Sequence, residues 1–249
     1  MRIQKSTTEL ETSILPLQLK NVSFEAGGTL LIKDVTCILR ANIRTVIIGP
    51  NGAGKSLLLR LCHGLIKPSH GKISWHQKTD VTRYQAMVFQ RPVMLRRSVS
   101  ANIDYALKLR RIPKAERIQT IAKVLSGTGL KRLAKQPARV LSIGEQQKLA
   151  LARTWALKPQ VLFLDEPTAS LDPAATHSIE KIIEAMHSQG IRIIMTTHDL
   201  GQAKRVGDEV IFINQGRILE ISEAATFFDE PKNDLAQAFV RGELIYKNK

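Results

Sequence analysis

The sequence predicts an α/β fold in which a mostly parallel sheet is flanked by helices, with an N-terminal antiparallel β subdomain and an inserted α-helical subdomain. Two observations predict it. Short apolar runs alternate with longer amphipathic stretches along most of the 249 residues, the pattern of strands and helices in a mostly parallel sheet. One apolar run, 45–48, leads directly into a glycine-rich turn, Gly49 to Gly54, and then into helix-forming sequence, the order that an anion-binding strand–loop–helix unit requires.

The elements follow in chain order. Residues 17–24 and 35–39 alternate apolar with polar side chains and read as half-buried antiparallel strands, with Ala26-Gly27-Gly28 as the turn between them. The strand at 45–48 precedes a helix over 54–63. A strand at 86–89 is followed by a basic, mainly helical region over 99–134 and a helix over 144–156. These form the helical subdomain, inserted at about 91–158. The strand 161–164, the helix 173–188 and the strand 192–195 complete a second alternation. Residues 210–214 and 217–221 read as a hairpin around Gln215-Gly216, and 223–228 and 234–241 as short helices in a tail covering about 222–249. The strands near 46, 87, 162 and 193 are expected to be central because they are apolar on both faces.

Composition excludes several classes. At 43% hydrophobic and 24% charged, the chain is neither disordered nor low-complexity. Two cysteines make no disulfide framework, and Cys37 and Cys62 lack any paired Cys/His spacing, so both are expected as reduced core residues. No run approaches the ~20 apolar residues that cross a bilayer, and residues 1–16 carry no apolar signal-peptide core. The unusual quantity is charge, 37 Lys+Arg against 22 Asp+Glu for a net +15. Between Lys108 and Arg139 there are ten basic residues against the single acid Glu116. Such an excess fits nucleic acid, an anionic membrane surface or phosphate handling, and a solvated helical face satisfies it equally.

The chemistry concentrates in two segments. Gly49-Pro50-Asn51-Gly52-Ala53-Gly54-Lys55-Ser56 matches G-x-x-x-x-G-K-[ST]. In that pattern the glycines let backbone N–H groups wrap a polyphosphate, Lys55 places a point charge at the β and γ oxygens, and the Ser56 hydroxyl ligates magnesium. Val161-Leu162-Phe163-Leu164-Asp165-Glu166 runs four apolar residues into two carboxylates. A buried parallel strand delivers its last residues to the sheet edge where ligands bind, so Asp165 suits the magnesium shell and Glu166 suits polarising a water for attack on a γ-phosphate. Together they read as a P-loop NTPase core that hydrolyses a nucleotide. A third segment, Leu141-Ser142-Ile143-Gly144-Glu145-Gln146-Gln147, places Ser142 as N-cap and Glu145 three residues on, a capping box.

That third segment resembles the signature motif of the ATP-binding cassette (ABC) ATPases, and the remaining motifs of that family follow in order. Gln90 resembles the Q-loop glutamine, which lies in the nucleotide site and reaches the magnesium. Ser170-Leu171-Asp172 resembles the D-loop, and His198 the switch histidine. Phe24 is placed like the aromatic residue that stacks on adenine. The resemblance covers about 17–216 and implies one ABC ATPase domain over 1–249, with ATP and Mg2+ as cofactors. It implies catalytic roles for Lys55, Glu166 and His198. In this family two copies close head to tail, so that Ser142, Gly144 and Glu145 of one copy complete the site of the other. Ile143 departs from the usual glycine, and Glu145 from the frequent glutamine.

A single cassette without a membrane span resembles prokaryotic importers. It implies integral membrane permease subunits docking near residues 90–99, an indirect extracytoplasmic solute-binding protein, and a peripheral location on the cytoplasmic side of the cell membrane. About 30 residues follow Gly216, too few for an appended regulatory β-barrel. The stretch 88–111 and the tail 239–246 look most like tungstate-type oxyanion uptake cassettes, with phosphate and polar amino-acid systems next. An exporter ATPase and a soluble nucleic-acid-associated ATPase are the competing readings. The second would need two cassettes or inserted zinc or coiled-coil modules, and no nucleic-acid partner is expected. The basic region is expected to face the partner subunit or the anionic inner leaflet.

Overall fold

The computed structural model describes residues 13–77 and 80–243. They fall into two compact units, Met1–Gln85 with His198–Lys249, and Ala86–Thr197.

In the first unit, β1 (Leu17–Ala26) pairs antiparallel with β2 (Thr29–Leu39) across the Gly27-Gly28 turn, and with β4 (His70–Trp75) on its other edge. Alternation predicted the first pair, and Leu17, Leu19, Val22, Ile32, Val35, Cys37 and Leu39 form its buried face. The strand β4 was not anticipated, because its His70-Gly71-Lys72 start is exposed and polar. A second set of strands surrounds the glycine-rich loop. Here β3 (Arg44–Ile48) runs parallel to β8 (Glu209–Asn214), which pairs antiparallel with β9 (Arg217–Glu223). Arg44 fixes this register, because its backbone N–H and its guanidinium both bond Asp208, each at 2.7 Å. Helix α1 (Lys55–His63) leaves the loop, and α6 (Leu200–Val206), α7 (Ala224–Asp229) and α8 (Asp234–Val240) follow later in the chain. Phe212 of β8 packs against Phe227 and Phe239, with ring centroids 6.1 and 5.3 Å apart, which holds the two tail helices down. Residues 244–246 of the tail lie outside the described residues.

In the second unit, β6 (Val161–Asp165) runs parallel to β7 (Arg192–Thr196), both fully buried, with Asp165 opposite Thr196. The strand β5 (Gln85–Val88) takes the outer position beside β6. It was expected to be central, yet Ala86 and Met87 are only half-buried. Apolar character on both faces did not distinguish a central strand from one at the sheet edge. The helical stretch divides into α2 (Val99–Leu109) and α3 (Lys114–Gly127), separated where Pro113 supplies an extended residue at the start of α3. Asp104 joins them, accepting from Arg117 Nε at 2.7 Å and pairing with Lys108 Nζ at 2.8 Å. Lys108 and Arg117 beside it hold its carboxyl below the usual range. Helices α4 (Ile143–Ala156) and α5 (Pro173–Ser188) complete the unit. Among the described residues, no helix is long and apolar enough to cross a membrane.

Candidate nucleotide site

The loop 49–54 is shaped by its neighbours. Gly49 has φ 153°, and a Cβ there would collide with the carbonyl of Ile213 in β8. Gly54, at φ 105°, lies so close to β2 that a Cβ would sit 2.9 Å from Ile32 Cδ1. Ile32 is also the cross-strand partner of Phe24, so the half-buried aromatic ring is carried on the strand pair that braces the loop. The turn of the β8–β9 hairpin stitches the loop in place. Gly216 N–H donates to the Ala53 carbonyl at 2.9 Å, and the Gly216 carbonyl accepts from Lys33 N–H at 2.8 Å. Sequence reasoning missed Ile32, Ile213 and Gly216 in this role, because their contribution comes from backbone proximity across distant strands.

The loop ends as α1 begins, with Gly54 as N-cap, no side-chain cap and no acidic residue in the first turn. The partial positive charge of that helix end is therefore not offset locally, which suits a phosphate. Lys55 is 6% exposed, and its ammonium donates to the carbonyls of Gly49 at 2.9 Å and Pro50 at 3.3 Å. These bonds curl the side chain over the loop and hold its charge there. Ser56, half-buried, is the next residue of the same helical turn.

Asp165 ends β6, and Glu166 follows it. Asp165 is 3% exposed and accepts at Oδ1 from the Thr196 hydroxyl at 2.9 Å. The same Thr196 oxygen accepts from Glu166 N–H at 3.0 Å. One buried hydroxyl thus orients both the carboxylate of Asp165 and the backbone of Glu166. Glu166 has φ 45°, a left-handed conformation unfavourable for a long side chain and found where surrounding structure imposes it. The turn that follows is closed by Ala169 N–H on the Glu166 carbonyl, and Asp172 then caps α5, accepting from Ala175 N–H at 2.8 Å. Thr196 was not anticipated.

The segment 141–147 forms the expected capping box at α4. Ser142 Oγ accepts from Glu145 N–H at 3.3 Å, while Glu145 Oε2 accepts from Ser142 N–H at 2.8 Å and from its hydroxyl at 2.9 Å. Gly144 brings this helix start against the start of α5, where an added Cβ would lie 3.3 Å from Ala175 Cβ. Segments 142–145 and 171–175 are therefore adjacent within one unit. Gln90 is exposed just beyond β5, and His198 is exposed just beyond β7, where Asp199 caps α6.

Ser56 in the first unit and Asp165 in the second each carry a hard oxygen donor of the kind magnesium takes. Among the described residues no cluster of three or more His, Cys, Asp or Glu could hold a metal. Magnesium usually takes one or two protein ligands beside phosphate oxygens, so neither donor needs a protein cage around it to fit that ion.

Comparison with known proteins points to one family. Residues 32–169 match the family model described as ABC transporter. The chain is similar to the tungstate uptake system ATP-binding protein TupC of Peptoclostridium acidaminophilum, 37% identical over 217 residues that cover 86% of this chain and 100% of that protein. It is also 33% identical to the phosphate import ATP-binding protein PstB 2 of Natronomonas pharaonis, over 92% of this chain and 88% of that protein. Among solved structures, cbiO1 from Clostridium perfringens, described as part of the ABC transporter complex cbiONQ, superposes with a TM-score of 0.79 at 28% identity. That match covers 90% of this chain and 94% of the other.

Proposed function

The chain belongs to the ABC transporter family and is an ATPase, and from that premise we propose that it powers uptake of a small oxyanion, tungstate foremost, as the peripheral ATP-hydrolysing subunit of a membrane importer. The observation that carries the solute reading is the match to a tungstate uptake subunit over that protein's whole length. Phosphate is the second reading, favoured by the similarity to a phosphate import subunit.

In the proposed reaction the backbone N–H groups of 49–54 and the start of α1 bind the β and γ phosphates, and the Lys55 ammonium neutralises their charge. Phe24 stacks on the adenine. Ser56, Gln90 and Asp165 would hold Mg2+, which supplies further neutralisation of the phosphate oxygens when bound. Glu166 accepts the proton of the attacking water, and His198 donates a hydrogen bond to the γ-phosphate. Ser142, Gly144 and Glu145 of a second copy, closing head to tail, complete the site. Hydrolysis removes the anion that holds the two copies together, and the permease subunits receive that movement near residues 90–99.

Co-purification of the membrane subunits and solute-binding protein from the native host tests the transport reading. ATPase activity is expected to rise when the permease subunits are added. Calorimetry of the binding protein with tungstate, phosphate and an amino acid then identifies the solute, and binding of phosphate alone overturns the tungstate reading. The basic residues Arg110, Arg111 and Lys114 are proposed to face the partner subunit or the anionic leaflet. Their reversal to Glu is expected to reduce membrane recruitment, and unchanged recruitment would leave them a solvated face. Nucleic-acid-stimulated hydrolysis with a steep salt dependence would instead favour a soluble ATPase acting on nucleic acid.

A further inference from the structure

A cavity of about 340 Å³ lies in the helical part of the second unit, and none of the residues assigned above to nucleotide chemistry lines it. One wall is a single face of α3. Glu116, Gln119, Thr120, Lys123 and Gly127 recur there at the three- and four-residue spacing of one helical side. The opposing residues are Trp155 of α4, Lys158 just beyond it, and Gln189 just beyond α5.

Two features fix the wall at Trp155, and a third sets a lysine on the cavity lining. The Trp155 indole is 8% exposed, and its Nε1 donates to Gln189 Oε1 at 3.1 Å, which sets the ring orientation. Gly127 packs on the ring edge, where an added Cβ would lie 3.0 and 3.1 Å from Cζ3 and Cη2, so any larger residue shifts the indole. Lys158 stands at φ 48° with its N–H bonded to the Trp155 carbonyl at 3.0 Å. That is a left-handed helix-stop position, where glycine is the residue the backbone favours. What lysine contributes there in place of glycine is a cation on the cavity wall. Charge is also graded along α3, because Glu116 and Lys123 are two turns apart, about 10 Å along the axis.

We propose that this cavity binds a small aromatic monoanion, with its flat apolar body against Trp155 and its carboxylate or equivalent oxyanion at the Lys123 and Lys158 end. The volume falls in the lower range of small-ligand sites, about 300–1,000 Å³. The Gln189 amide, its oxygen occupied by the indole, keeps its NH2 donors for the ligand or solvent.

The test is calorimetric titration of the intact protein with 2-naphthoate and with its neutral analogue 2-naphthalenemethanol. Naphthoate is expected to bind with Kd of about 1 mM or tighter, and the neutral analogue at least about fivefold more weakly. K158G and K123Q are each expected to weaken naphthoate about fivefold or more, by loss of one charge-assisted contact. Because K158G places the favoured residue at a left-handed position, its thermal midpoint should equal or exceed that of the parent, which separates lost binding from lost folding. Absence of naphthoate binding, or K158G binding as tightly as the parent, overturns the proposal. So does binding that survives K158G and is abolished by saturating ATP, which would place the anion in the nucleotide site.

Discussion

The Thr196 hydroxyl donates to Asp165 Oδ1 at 2.9 Å while accepting from Glu166 N–H at 3.0 Å, so that β7 holds the last residue of β6 and the acid that follows it in one geometry. Thr196 is fully buried, and water does not replace it. T196V keeps the shape and removes one hydrogen bond from each of two buried polar groups, at a cost of about 1–3 kcal/mol. It is expected to lower kcat at least about tenfold and to raise the Mg2+ concentration needed for half-maximal activity, while T196S keeps most of both. Normal kcat and Mg2+ dependence in T196V would remove Thr196 from the positioning role.

Gly49 tolerates no side chain. G49A would drive a Cβ into the Ile213 carbonyl at a φ of 153°. The variant is expected to lose nucleotide binding by equilibrium titration and to lower the thermal midpoint. The control I213A should retain binding, because the collision involves the backbone of Ile213 and not its side chain.

Glu145 occupies Ser142 at both the backbone N–H and the hydroxyl. A carboxylate there competes for the hydroxyl proton and places negative charge where the proposed dimer brings a γ-phosphate. E145Q is therefore expected to strengthen ATP-dependent dimer formation in gel filtration, by roughly the 0.3–1 kcal/mol typical of one screened charge near a helix start. Weaker dimerisation in E145Q would show that the carboxylate supports closure through the cap.

Both cysteines are buried. Burial, with the charge of Glu209 adding to it, pushes the Cys37 thiol up to about 12 from an ordinary 9.0, and burial holds Cys62 well above that ordinary value. The folded state therefore favours neutral thiols. That contribution to stability is complete below pH 9 and is lost as the pH rises from 9 towards 12 for Cys37. Iodoacetamide at pH 8 is expected to modify neither thiol in the folded protein and both in urea. Urea stability should fall more steeply between pH 9 and 11 in the parent than in C37A.

Much of the architecture was legible in residue order. The apolar run before Gly49 and the four apolar residues before Asp165 identified β3 and β6, because a buried parallel strand has no polar face to disguise it. Ser142 and Glu145 announced their capping box by spacing alone. What escaped depended on neighbours in space. The strand β4 pairs through its backbone while its first side chains remain polar and exposed, and β5 lies at an edge although it is apolar enough for a centre. Thr196, Ile213 and Gly216 act on the loop and the carboxylates through hydrogen bonds or contacts spanning 30 or more positions of sequence. No local pattern carries that information.

The assignment of Glu166 as the proton acceptor is the centre of the proposed chemistry, and a single-turnover assay of E166Q tests it most directly. The amide keeps the size of the side chain and cannot take the proton. E166Q is expected to bind ATP as tightly as the parent, to lose hydrolysis by about 10²–10⁴-fold and to accumulate as an ATP-bound dimer. Hydrolysis at the parental rate by E166Q would contradict the account.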